Sequence, residues 1–164
     1  MKVAITGHTG GLGLAFLHYF AEKHYEVVGY SRSNGHDISN LEVVSKIVSE
    51  IRDFDIFVNN AHNANQFVLL DRVFNMWVGR PKTIINISSR FTSEPNAYSV
   101  EKLKQDQFCQ EKIYQLPRIL NVKPGLVDTQ RVAHINKKKM TTDNVIEVVD
   151  YCLKNNVQSI TFGK

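Results

Sequence analysis

A doubly wound parallel α/β sheet of about six strands is the fold this sequence predicts, and three observations predict it. Apolar runs of strand length alternate with segments of helical periodicity from one end of the chain to the other. The runs are continuous rather than alternating, which marks strands covered on both faces. A glycine-rich turn stands where the first run gives way to the first helical segment, the position at which such sheets place a ligand. With 164 residues the chain fits one domain, 1–164, and leaves little room for a second.

The elements follow in order. KVAIT at 2–6 reads as a strand, Gly7 to Gly11 as the turn, and LGLAFLHYFAEK as a helix. YEVVGY at 25–30 is a second strand, and LEVVSKIVSEIR repeats its apolar residues at helical spacing. DIFVNN, QFVLLDRVFNMW, TIINIS and AYSVEKLKQDQFCQEKIY continue as strand, helix, strand and long helix. RILNV, NVIEVVDYCL and QSITF complete the alternation as strand, helix and strand.

Composition narrows the function classes. The chain is 43% hydrophobic and 22% charged, near the globular average, with no tract that would form a linker. Cys109 and Cys152 lie in helix-like segments, too few for a disulfide framework and without metal spacing, so a reducing cytoplasm is the expected compartment. No stretch is apolar for long enough to span a bilayer, and the start turns glycine-rich too early for a signal peptide. The net charge is +4 and the pI about 9.1, yet no helix carries a basic stripe with interleaved aromatics, so neither nucleic acid nor membrane is the expected partner. His8, His18, His24, His36, His62 and His134 have no paired ligand spacing, and no metal is expected.

Gly7, Gly11 and Gly13 carry the first functional signal. Glycine there permits a tight turn, a close approach of backbone to a pyrophosphate and close helix-to-strand packing, and the helix N-terminus offers free N–H groups. A dinucleotide fits such a turn. After the second strand come Ser31, Arg32 and Ser33. An acid at this place holds the ribose hydroxyls of NAD, whereas an Arg accommodates a 2′-phosphate. NADPH or NADP+ is therefore the expected cofactor, ahead of NADH.

Five ordered motifs resemble the short-chain dehydrogenase/reductase family: TGHTGGLG at 6–13, VNNAH at 58–62, NISS at 86–89, Tyr98 with Lys102 in YSVEK, and PGLVDT at 124–129. The resemblance covers nearly the whole chain, although family members are typically much longer. It implies a Rossmann-type fold and a cofactor held by Gly7, His8, Thr9, Gly11, Leu12 and Gly13, by Asn60 and Ala61, and by Pro124, Gly125, Val127 and Thr129. Asp37 and Ile38 resemble the family's adenine pocket. Four residues separate Arg32 from Asp37, so the usual third strand and its helix are expected to be truncated.

Tyr98 and Lys102 are four apart near a helix start, so their side chains rise from one face. A free tyrosine titrates near ~10, and proton exchange near neutrality benefits from a neighbouring cation. By the resemblance Tyr98 is the general acid of carbonyl reduction, Lys102 stabilises the phenolate and holds the nicotinamide ribose, and Ser89 rather than Ser88 binds the substrate oxygen. The fourth family participant is an asparagine on the helix after the NNA segment: Asn65 first, Asn63 second, with helix capping as the alternative for both. His62 stands where the family has glycine and either nears the cofactor or packs structurally.

Ser89 and Tyr98 are nine positions apart, and only QRVAHINKKKM follows PGLVDT where relatives insert a substrate lid. The pocket is then open, or completed by another subunit. Lys137, Lys138 and Lys139 either steer an acidic substrate or form a solvated loop. The implied activity is reduction of a ketone or aldehyde, or oxidation of the alcohol; the alternative is an NADP-binding regulator on the same fold. A homodimer or homotetramer is expected, because Phe67, Leu70, Val73, Phe74, Trp77, Phe108 and Tyr114 on the third and fourth major helices offer more apolar surface than one sheet face needs.

Overall fold

A computed structural model describes residues 1–163. Strands β1 (Lys2–Thr6), β2 (Glu26–Tyr30), β3 (Ile56–Asn59), β4 (Thr83–Ile87), β5 (Arg118–Pro124) and β6 (Ser159–Phe162) alternate with helices α1 (Gly11–Glu22), α2 (Leu41–Glu50), α3 (Gln66–Trp77), α4 (Ala97–Glu111) and α5 (Thr142–Lys154). All neighbouring strands pair in parallel, in the order β2-β1-β3-β4-β5-β6. The chain leaves β1 toward β2 and then crosses back over β1 to β3, so strand order reverses between β1 and β3. Ligands bind at that crevice in open α/β sheets.

The continuous apolar runs are explained by burial on both faces. Ala4, Phe57, Ile84 and Ile119 point to one side, where α2, α3 and α4 cover them with Val44, Ile47, Leu70, Val73, Phe74 and Phe108. Val3, Ile5, Val58, Ile85 and Leu120 point to the other, beneath Phe16 and Phe20 of α1 and Val145 and Val149 of α5. Each large side chain so buried contributes ~1.5–3 kcal/mol relative to exposure. Trp77 is fully buried, and its indole N–H donates to the Arg52 carbonyl at 3.0 Å.

Helix starts follow local chemistry. Asn40 accepts from the Glu42 N–H, Asn96 from that of Ser99, and Thr141 forms a capping box with Asn144. The fourth helix stops at Glu111, short of the expected Tyr114. Pro117 disfavours the helical region for the residue before it, and β5 must begin at Arg118. Between β2 and Asp37 there is a single 3₁₀ turn, Arg32–Asn34, with no strand beyond β2, as the truncated third strand implied.

The apolar surplus expected on α3 and α4 is accounted for within the chain. Leu70, Val73, Phe74, Trp77 and Phe108 are buried against the sheet and α2, Phe67 is partly buried, and Tyr114 is exposed. The surplus arose because α3 and α4 face each other as well as the sheet, and periodicity alone does not reveal that second contact. Among the described residues no helix is long and apolar enough to cross a membrane.

Candidate functional site

At the reversal point lies an open cleft of about 1430 Å³, lined from the glycine turn, the ends of β2 to β5 and the segment after β5. Its floor is a locked backbone. Thr6 Oγ1 donates to the Val58 carbonyl (3.2 Å) and accepts from the N–H groups of Asn60 (3.0 Å) and Ala61 (3.1 Å). Asn60 Nδ2 donates to the Thr6 carbonyl (3.0 Å), so the first and third strand ends are clamped together. Gly7 has φ +71° and no room for a side chain beside Asn60 and Ala61. A Cβ on Gly13 would lie 2.0 Å from the Gly7 carbonyl, which is the close helix-to-strand packing the motif calls for. No side chain caps the α1 N-terminus at Gly10, and Gly10, Gly11 and Leu12 line the cleft.

Gly7, Thr9, Gly11 and Leu12 line this cleft, whereas Gly13 lies behind it. His8 turns away: its ring packs on Gly29 so closely that a Cβ there would sit 2.2 Å from it. Ser31, Arg32, Ser33, Asp37 and Ile38 line the end beside β2. Ser31 Oγ and Ser33 Oγ are 2.9 Å apart, and Asn34 holds the turn by accepting from the Ser31 N–H and donating to the Gly29 carbonyl, each at 2.8 Å. Among the described residues no carboxylate forms an ion pair with Arg32. Hydrogen bonds from Ser39 hold the Asp37 carboxyl below its ordinary range.

Pro124, Gly125, Val127 and Thr129 line the opposite wall. The Thr129 methyl closes over Gly11, where a Cβ would meet it at 3.0 Å. The segment after β5 is short because Met140 returns to it, accepting from the Asp128 N–H (2.8 Å) and donating to the Leu126 carbonyl (2.9 Å). Lys139 pairs with Asp128 at 3.5 Å, and none of Lys137, Lys138 and Lys139 lines the cleft.

Tyr98, Lys102, Ser88 and Ser89 all line this cleft. Lys102 Nζ lies 5.7 Å from the Tyr98 ring centroid, and the His62 ring stands edge-on to Tyr98 at 4.8 Å. Ser89 Oγ accepts from the Phe91 N–H (3.0 Å), while the buried Ser88 Oγ has no partner. Burial first, then the charge of Arg131, pulls the Lys102 ammonium down to about 7. Burial, with Lys102 and Arg131, pulls His62 down to about 4, so its imidazole is neutral at physiological pH.

Asn65 does not reach Lys102. Its Nδ2 donates to the carbonyls of Ile38 and Ser39, both at 2.9 Å, bracing the segment that carries Asp37. Asn63 lines the cleft, and its Oδ1 accepts from the Asn65 N–H. The residue that meets Lys102 is Gln66, fully buried and absent from the sequence expectations. Gln66 Oε1 accepts from Lys102 Nζ (2.8 Å), and its Nε2 donates to the carbonyls of Asn59 (2.9 Å) and Ile87 (3.2 Å). Lys102 Nζ also donates to the Ile87 carbonyl (2.7 Å).

Beneath them runs a buried asparagine ladder. Asn59 donates to Asn86 (2.9 Å), Asn86 to Asn121 (2.9 Å), and Asn121 to Asp106 of α4 (2.8 Å). The three asparagines are in register across β3, β4 and β5. An asparagine within each of three successive strands was the available signal. Glu101 accepts from the Phe67 N–H at 2.7 Å, tying the start of α3 to α4. Together these bonds fix the helix that presents Tyr98 and Lys102.

No family model and no curated protein sequence matches the chain. Solved structures do. A short-chain dehydrogenase from Burkholderia cenocepacia in complex with NADP is 20% identical with a TM-score of 0.82, over 99% of this chain and 88% of that one. A bulky-bulky ketone specific alcohol dehydrogenase from Comamonas testosteroni is 15% identical with a TM-score of 0.80, over 98% and 85%. A 3-alpha-hydroxysteroid dehydrogenase from a Pseudomonas species, complexed with NADH, is 15% identical with a TM-score of 0.79, over 99% and 94%. At these identities the likeness establishes a shared fold.

Proposed function

We propose that this chain, built on the fold of the short-chain dehydrogenases, belongs to that family and is an NADPH-dependent oxidoreductase that reduces a ketone or aldehyde, or oxidises the corresponding alcohol. The observation that carries the reading is the convergence of Tyr98, Lys102, Ser88 and Ser89 in a cleft that also contains the glycine turn and Arg32. Structures with this fold in complex with NADP or NADH support a nicotinamide cofactor. The cleft fits one: the α1 N-terminus has no side-chain cap, a Cβ on Gly10 would meet nothing within 4 Å, and Arg32 has no carboxylate partner among the described residues. The turn would hold the pyrophosphate, and Arg32 with Ser31 and Ser33 the 2′-phosphate. When bound, the cofactor supplies the hydride.

The chain's own residues manage the proton and the oxygen. Tyr98 gives its hydroxyl proton to the carbonyl oxygen as that oxygen gains charge, and Lys102 steadies the resulting phenolate. Ser89 or the unpartnered Ser88 hydroxyl donates to the same oxygen. Gln66 acts as a positioning residue, because its Oε1 and the Ile87 carbonyl fix the Lys102 ammonium below the Tyr98 ring.

Titration with both cofactors tests the preference: NADPH binds more tightly than NADH, and Arg32→Ala narrows the gap by ~10-fold or more, the scale of one charge-assisted contact. Equal affinities in the wild type would overturn the assignment. Assembly as a homodimer or homotetramer belongs to the same reading, on the half-exposed Val100 and Leu103 of α4. Light scattering tests it, and a mass at the 18.7 kDa monomer across micromolar concentrations would remove it.

A further inference from the structure

The substrate end of the cleft carries a charge that proton and hydride transfer do not require. Arg131 sits on the 3₁₀ turn Gln130–Val132, within the short segment that follows Thr129. Its guanidinium carbon lies 5.8 Å from the Tyr98 ring centroid, and the residue lines the cleft. Among the described residues no carboxylate pairs with it, and the nearest acid in sequence, Asp128, is engaged by Lys139. Of the acidic and basic side chains lining the cleft other than histidine, Arg32, Lys102 and Arg131 are basic, and Asp37 is the single acid, lying at the β2 end near Arg32.

Neither of the other two basic groups around Tyr98 offers a free cation. Lys102 is 2% exposed, with its ammonium donating to Gln66 and the Ile87 carbonyl. The His62 ring is neutral at physiological pH. Arg131 is exposed, and among the described residues its planar fork is the one charged donor left open beside the Tyr98 ring.

We propose that Arg131 binds an anionic group on the substrate, a carboxylate or a phosphate borne by the carbonyl compound, and so sets the carbonyl against Tyr98. The inference rests on the oxidoreductase reading for the identity of the reacting group, and on geometry for the anion. An apolar substrate seated there would strip water from an unpaired guanidinium without compensation, whereas an anion supplies two matched acceptors. Arg131 also depresses the Lys102 and His62 protonation equilibria, so an anion at this point relieves a local excess of positive charge.

Binding without turnover tests the inference. Pyruvate is compared with acetone, and dihydroxyacetone phosphate with dihydroxyacetone, by chemical-shift titration of the protein loaded with NADP+ and of the protein alone. One anionic probe should bind ~10-fold or more tightly than its neutral counterpart, and which pair shows the gap identifies carboxylate or phosphate. Arg131→Gln should abolish the gap, Arg131→Lys should restore part of it, and NADP+ affinity should stay at the wild-type value in both. Equal binding within both pairs, or a gap that survives Arg131→Gln, overturns the inference. So does an equal loss of NADP+ affinity, which would give Arg131 to the cofactor. Failure of every carbonyl to consume NADPH would instead remove the oxidoreductase reading, and the titration would still decide the anion site.

Discussion

Replacing Gln66 with leucine keeps the side-chain volume roughly constant and deletes three hydrogen bonds, one of them to an ammonium that is 2% exposed. A bond to a charged group is worth ~1.5–3 kcal/mol and each neutral bond about 1 kcal/mol, while burying leucine in place of an amide returns part of this. The net loss for Gln66→Leu is about 2–3 kcal/mol, which for a chain of this size lowers Tm by roughly 4–12 °C. Lys102→Met alone leaves the Gln66 Oε1 acceptor buried and empty. Because replacing both partners of a buried polar pair with apolar groups is far cheaper than replacing one, the double variant should be no less stable than Gln66→Leu, with a coupling of ~1.5–3 kcal/mol. Urea denaturation of the four proteins at about pH 6 measures it, since Lys102 is then charged. Strictly additive losses would refute the claim that Gln66 holds Lys102.

Three further outcomes follow from the same geometry. Gly13→Ala forces a Cβ to 2.0 Å from the Gly7 carbonyl and 2.7 Å from Asn60; thermal unfolding should show at least ~1–3 kcal/mol of destabilisation and calorimetry a loss of NADPH affinity. With Lys102 pulled down to about 7, its charge is present below that pH and lost above it, so carbonyl reduction should decline as pH rises through about 7; a profile flat across this range would contradict the role given to Lys102. The His62 imidazole is pulled down to about 4 from its ordinary 6.5. The unfolded chain therefore takes up a proton first, so stability should fall as pH drops from 6.5 toward 4 and level off below. Denaturation midpoints of the wild type and His62→Phe across that window test this, and an unchanged slope in the variant would argue against it.

The sheet was legible because β1, β3, β4 and β5 are apolar runs without alternation, and burial on both faces is what produces such runs. The place of the ligand cleft was legible from the glycine turn and the ordered motifs rather than from periodicity. The side-chain geometry was less so. Asn65 and Gln66 are neighbours at the start of α3, and one residue turns a helix by about 100°; that single step decides which of them faces Lys102 and which braces Ile38. His8 could not be separated from its turn neighbours in sequence, since its inward rotation depends on the gap left by Gly29 in an adjacent strand. Phe74, Trp77 and Phe108 looked like spare surface because the mutual packing of α3 and α4 is a tertiary fact. Arg131 lies in a loop of undistinguished composition, and its proximity to Tyr98 depends on the return of the chain at Met140.

Tyr98→Phe isolates the proton transfer proposed for Tyr98 in carbonyl reduction by NADPH, since the ring and its contacts with His62, Lys102 and Arg131 remain while the hydroxyl is removed. The measurement is the rate of NADPH consumption with a carbonyl substrate that the wild type reduces, alongside calorimetric NADPH affinity. Turnover should fall by at least ~100-fold, the lower bound for loss of a general acid, with cofactor affinity unchanged. A phenylalanine variant that consumes NADPH at the wild-type rate would contradict that role for Tyr98.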